Sequence, residues 1–171
     1  MKSSTLTSFL CAALLALAAG GAFAADVTAE EAAIRALFER HRQALESKSV
    51  AAVSQTFDHT GPLVVWTGSE KEPVTDWPAL ERLYKEWFAS AGNIRMTDTC
   101  LQIRVHPSGL AAWASYLTDE TETTNGKRNT EHLRATFGLE KHGQSWVGVQ
   151  AHWSVAPSPP ASAAAPAGAK P

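Results

Sequence analysis

From Ile94 to Val155 the apolar side chains recur at every second position, in four stretches separated by residues suited to tight turns. Period-two alternation is the signature of strands with one buried and one solvated face. The stretches fall at about 95–106, 109–122, 130–141 and 144–155. Pro107-Ser108-Gly109, Asn125-Gly126 and His142-Gly143 separate them, and Asn-Gly is the dipeptide best suited to a two-residue hairpin. Connections this short leave no room for a crossover, so the four strands must form an antiparallel meander. A meander of this length needs an apolar cover, and the first half of the chain has to supply it.

That half reads as helices. Thr28-Ala29-Glu30-Glu31 has the spacing of a capping box, and Ile34, Leu37, Phe38, His41 and Leu45 then follow at helical intervals to about Glu46. After Ser47-Lys48-Ser49, the residues Val50, Val53 and Phe57 mark a second, shorter helix. Leu63 to Gly68 is a short β-rich run bounded by Gly61-Pro62. A third helix starts near Asp76 with Pro78 in its first turn. Its face is formed by Leu80, Leu83, Tyr84, Trp87 and Phe88, and Gly92-Asn93 should end it. Three helices, one short strand and then a meander make an α+β pattern, with the helices on one face of a curled sheet.

The two ends differ from this middle. Lys2, the apolar run Phe9–Ala19 and Ala22-Phe23-Ala24 form the three parts of an export signal, which places the protein in the periplasm or outside the cell. The run is too short and too rich in Ala and Gly for a membrane span. Cys11 lies within the apolar run rather than at its end, so no lipid anchor is expected. Beyond Pro157 the chain is Pro-, Ala- and Ser-rich and lacks side chains that could build a core, so residues 158–171 are expected to be disordered. The expected organisation is therefore a signal over 1–24, one domain over 25–157 and a tail over 158–171.

Removal of the signal takes away Lys2, leaving 14 basic against 17 acidic residues, a formal charge of −3. That balance excludes a basic nucleic-acid footprint. Cys100 would then be the one cysteine left, with no partner for an internal disulfide. Its place beside Leu101 and Ile103 suggests a buried, inert thiol.

The last strand carries the most specific pattern. In Trp146-x-x-Val149-x-x-His152-x-Ser154-x-Ala156-Pro157, strict alternation puts Val147, Val149, Ala151, Trp153 and Val155 on one face. The residue types and spacing resemble the final strand of the association (hub) domain of calcium/calmodulin-dependent protein kinase type II and its stand-alone bacterial relatives. These belong to the SnoaL-like branch of the nuclear transport factor 2-like superfamily. Thr130-Glu131-His132-Leu133-Arg134 resembles the hub's penultimate strand, and Leu83-Tyr84-Lys85-Glu86-Trp87-Phe88 its third helix. No kinase segment accompanies them: the Gly-rich loop, catalytic-loop pattern and Asp-Phe-Gly are absent from the chain.

The resemblance implies a cone-shaped barrel, in which a curved antiparallel sheet (the four-strand meander plus one short strand) packs on three N-terminal helices. It also implies a pocket between helix and sheet, and association through the outer sheet face into a homodimer or larger homo-oligomer. The hub's pocket binds small carboxylates through several arginines, and Arg134 carries over from that set. Ser115 or Tyr116, and Trp153, stand where the others would be sought, with Trp66 as a further wall residue. The leading expectation is thus an exported, non-catalytic domain that binds a partly apolar carboxylate-type anion through Arg134, Trp153, Tyr116 and Trp66, or that serves purely as an assembly module with a vestigial cavity. The alternative is a cofactor-free isomerase, cyclase or hydrolase-like enzyme whose acid–base group comes from Asp58, His132 or His152. The six histidines show no paired ligand spacing, so no metal site is expected, and neither reading calls for a cofactor. Asp119-Glu120-Thr121-Glu122 reads as a solvated hairpin end.

Overall fold

The computed structural model of the chain describes residues 26–68 and 71–157. The expected export signal and the Pro-rich tail lie outside the described residues. Helix α1 spans Val27–Glu46 and buries Ile34, Leu37, Phe38, His41, Ala44 and Leu45, the stripe expected from the spacing. Its N-cap is Asp26 rather than Thr28: Oδ1 of Asp26 accepts from the backbone N–H groups of Thr28 and Ala29 at 3.1 and 3.2 Å. A carboxylate there satisfies two free N–H groups and also faces the positive end of the helix dipole.

Helix α2 (Val50–Ser54) is a single turn capped by Ser49, and helix α3 (Trp77–Ser90) is capped by Asp76, with Pro78 in its first turn. Lys48 links the two. Its Nζ donates to the carbonyls of Phe88 and Ala91 at 3.0 and 2.9 Å, which satisfies carbonyls left open at the end of α3. The chain then turns into the sheet at Gly92, where a Cβ would stand 1.8 Å from the carbonyl oxygen of Thr123. Only glycine allows that approach, and Asn93 already belongs to the first long strand.

The strands are β1 (Val64–Trp66), β2 (Asn93–Val105), β3 (Ala111–Thr124), β4 (Lys127–His142) and β5 (Ser145–Val155). They form one sheet in the order β1-β5-β4-β3-β2, in which β1 runs parallel to β5 and all other pairs are antiparallel. The sheet curves around the helices without closing, leaving β1 and β2 as its edges. This is the expected α+β cone. Its core lies on the concave face, where Ala112, Ala114, Tyr116, Ala135, Phe137 and Leu139 meet Phe38, Leu80 and Phe88. The β3–β4 turn is Asn125-Gly126 with φ of 52° and 74°, the left-handed pair that a two-residue hairpin requires.

Two register shifts interrupt the alternation. The ladder passes from Thr99–Leu117 to Gln102–Ser115, so Cys100 and Leu101 together oppose Tyr116. Cys100 takes φ of 57° in that bulge and is exposed. The expectation of a buried thiol therefore fails, because a bulge changes which way a side chain points. The second shift lies in β5, where Gly138 pairs with Gln150 but Leu139 pairs with Gly148, leaving Val149 as the extra residue. Trp146 and Gly148 are consequently buried with Ala151, and strict alternation along β5 does not hold. The Nε1 of Trp146 donates to Glu30 at 2.8 Å, which ties the end of the sheet to the first turn of α1.

Candidate functional site

A cavity of about 810 Å³ opens between α3 and the concave face of the sheet. Leu45 of α1 and Leu80, Leu83, Tyr84 and Trp87 of α3 supply one side. Met96 of β2, Leu133 of β4 and Trp153 of β5 supply the other, and Trp66 to Gly68 form part of the rim. The size falls within the usual range for a small-molecule site, roughly 300–1,000 Å³. Three carboxylates reach it as well: Glu86 from α3, Glu120 from β3 and Glu131 from β4.

Glu120 owes its position to strand parity. Along β3 the residues Ala112, Ala114, Tyr116 and Thr118 all point inward and are buried, and Glu120 is the next in that series. Burial raises its proton affinity first, and the nearby charges of Glu122 and Glu131 add to it, so its pKa is pushed up to about 7. Glu131 is its direct cross-strand partner. Glu122 accepts a hydrogen bond from the indole N–H of Trp87, which brings α3 against this end of the sheet. Burial, with the charge of Glu120 beside it, also pushes the Tyr84 phenol up, keeping it a neutral hydroxyl.

The cone holds further polar groups. Burial and the neighbouring Asp98 charge raise the pKa of Tyr116, whose ring packs against Phe38 and Phe137. Burial also raises the pKa of Asp98 on β2, against the opposing effect of Thr118. His41 lies in α1, nearly parallel to the Trp153 ring with centroids 6.4 Å apart. Its Nδ1 is 2.9 Å from Oγ1 of Thr56, which itself donates to the Val53 carbonyl. Nδ1 must therefore carry the proton. Nε2 has no partner among the described residues, and burial lowers the imidazole to about 4.

The residues singled out from sequence separate into groups. Trp66 and Trp153 line the cavity, and His152 does so beside them, with Cα paired to Trp66 across β1 and β5. Tyr116 is buried on the concave face but is not among the cavity's lining residues. Arg134 does not enter the cavity. It lies on the outer face of β4, exposed, with Nη2 donating to the Val155 carbonyl at 3.2 Å. Leu133, Ala135, Phe137 and Leu139 are the inward series of that strand, so Arg134 must point the other way. His132 shares that outer face, where Nδ1 meets Oδ1 of Asp119 at 2.7 Å in an exposed pair.

Asp58 is buried away from the cavity. Its carboxylate accepts from Thr60 N, Thr60 Oγ1 and Gly61 N at 2.8–3.0 Å, and Nδ1 of His142 lies 3.6 Å away. Burial works to raise its pKa, but these hydrogen bonds and the His142 charge prevail and hold it below the ordinary value. It is a turn-closing carboxylate. Among the described residues no group of three or more His, Cys, Asp or Glu is arranged to hold a metal ion.

Glu120 and Glu131 carry no local mark in the sequence, where Asp119–Glu122 reads as a solvated strand end. Asp119 does lie outside; Glu120 lies inside. The signal was present in the inward parity of Tyr116 and Thr118, continued by one more step.

No curated protein matches this chain by sequence. Among solved structures, a Streptomyces avermitilis protein of the nuclear transport factor 2-like family, provisionally described as a dehydratase, superposes with a TM-score of 0.70 at 12% identity. The match covers 77% of this chain and 99% of that one. A protein from Xanthomonas campestris, provisionally described as a calcium/calmodulin-dependent protein kinase II association domain, gives 0.64 at 21% identity over 73% and 86% of the two chains. A nuclear transport factor 2-like protein of unknown function from Pseudomonas putida gives 0.64 at 22% over 74% and 87%. Identities this low speak to fold alone. The SnoaL-like domain family matches residues 34–158, from within α1 to beyond the final strand, and the chain belongs to that family.

Proposed function

We propose that the cavity is a small-molecule site in which Glu120 performs general acid–base chemistry. One observation carries the reading: a carboxyl group is held inside an aromatic-lined cavity at a proton affinity near neutral. A group with a pKa close to the working pH populates both forms, so it can give a proton in one step and take it back in the next. Proton-shift isomerisation, aldol-type ring closure and elimination of water all use such a transfer. The Streptomyces avermitilis relative, provisionally described as a dehydratase, is compatible with that class. The neutral Tyr84 hydroxyl beside Glu120 is a suitable hydrogen-bond partner for a substrate oxygen.

The anion-binding expectation finds no support at this site. Among the described residues the cavity is lined by three glutamates and by no lysine or arginine, and Arg134 lies on the other side of the sheet. The test is a carbon-detected NMR titration of the glutamate carboxyls, with Glu120 assigned by its loss in Glu120→Gln. A midpoint near 7 is expected. A midpoint in the ordinary glutamate range of about 4–5 would remove the basis of the reading.

A further inference from the structure

Resting on the reading of Glu120 as the acid–base group of the site, we infer that the cavity's ligand is an organic cation, a protonated or quaternary amine on an apolar body. Four aromatic rings line this one cavity, Trp66, Tyr84, Trp87 and Trp153, and they come from the β1 end, α3 and β5. Aromatic faces attract a cation within about 6 Å, tryptophan most strongly, and the attraction grows when the cation is desolvated. A neutral apolar ligand would also be satisfied by such rings. The charges decide between the two.

Glu86, Glu120 and Glu131 approach the same cavity from three different elements, with Glu122 next along β3. Glu120 and Glu131 sit directly opposite each other across the ladder, an arrangement that is unfavourable for like charges. No lysine or arginine among the described residues lines the cavity to relieve it. Lys85 on α3 pairs with Glu81, Arg42 on α1 pairs with Glu39 and Glu46, and Lys48 bonds the end of α3. An ammonium group seated among these carboxylates would supply the missing counter-charge, while the indole rings accept its apolar body. It would also favour the ionised form of Glu120, so that a bound cation prepares that group to act as a base.

The test uses the full chain and three probes of matched shape, 2-phenylethylamine, 2-phenylethanol and 3-phenylpropionate, titrated calorimetrically at pH 8. The amine should bind at least tenfold more tightly than the alcohol, and the carboxylate more weakly than either. Glu131→Gln should reduce the amine's affinity severalfold and leave the alcohol's unchanged. Glu86→Gln, on the exposed face of α3, should do the same to a smaller extent and guards against a folding defect in the strand variant. Equal binding of alcohol and amine, preference for the carboxylate, or no binding of the amine would each overturn the inference. The Glu120 titration distinguishes the two ideas. A midpoint near 7 without amine preference overturns the ligand class alone, whereas amine preference with an ordinary Glu120 midpoint overturns the acid–base role.

Discussion

Half-buried Glu120 and buried His41 are both titratable, and they pull the pH dependence of stability in opposite directions. The Glu120 pKa is raised in the folded chain from 4.5 to about 7. Between those values the folded state holds a proton that the unfolded state has lost, so stability falls as pH rises through that window. By about 1.4 kcal/mol per pKa unit the ionised group costs on the order of 3 kcal/mol above pH 7, less to the extent that solvent reaches it. His41 shifts down from 6.5 to about 4, so its contribution is complete above pH 6.5 and is lost as pH falls through 4. In the wild-type chain the two slopes largely cancel between about 4.5 and 6.5. Glu120→Gln should unmask the histidine. The variant is expected to be more stable than wild type by about 1–3 kcal/mol at pH 8 and nearly equal to it at pH 4.5, with stability decreasing steadily from pH 7 to 4. Urea unfolding across a pH series measures this. A Glu120→Gln chain less stable than wild type at pH 8 would show that the side chain is structural.

At the scale of elements, a carboxylate at each end sews α1 to the sheet. Glu30 in the first turn accepts from Lys141 Nζ and Trp146 Nε1, and the Lys141 bond is the main reason its pKa is lowered. Glu46 in the last turn accepts from the backbone N–H of Met96 at 3.0 Å and from Arg42 at 2.9 Å. These contacts hold the helix across the open side of the curved sheet. Glu30→Ala leaves the buried Trp146 N–H unpaired and frees Lys141, and should destabilise the chain by about 1–3 kcal/mol in chemical denaturation. A loss under about 0.5 kcal/mol would mean that packing alone seats the helix. The elements themselves were legible from local cues. Helical spacing marked α1 and α3, and Asn125-Gly126 marked the central hairpin within a residue or two. The two bulges were not legible. Nothing in Thr99–Gln102 or Gly148–Gln150 announces an extra residue, because a bulge is chosen by the fit between two strands and not by either one. For that reason Cys100 is exposed, and Val147 and Val149 do not share a face with Ala151.

At the scale of the whole molecule, the outer face of the sheet is the complement of the cavity. Trp113 is 54% exposed and Leu117 42% exposed on that face. An open groove of about 410 Å³ runs beside Trp113 and is lined also by Gln102, Arg104, Ser115 and Thr136. Arg134, opposite Leu117, belongs to this side. We propose that a second copy of the chain covers this exposed apolar face. Sedimentation should then give a homodimer or larger assembly at micromolar concentration, and Trp113→Glu should give a monomer with an unchanged circular dichroism spectrum. A wild-type chain that sediments as a monomer would remove that expectation and leave the cavity reading untouched.

The sequence by itself determined the order of elements, the antiparallel meander and the apolar stripe of each helix, because periodicity and turn residues act over a few neighbouring positions. Strand alternation also puts His132, Arg134 and Thr136 together on one face of β4. Which face that was, the tertiary structure decided, since alternation is symmetric until the helices cover one side. The same packing turned Glu120 from a residue near a hairpin into a half-buried, cavity-lining acid. Its proton affinity depends on Glu122 two residues along β3, on Glu131 across the ladder and on the cover provided by α3, and no single segment of the chain contains all three.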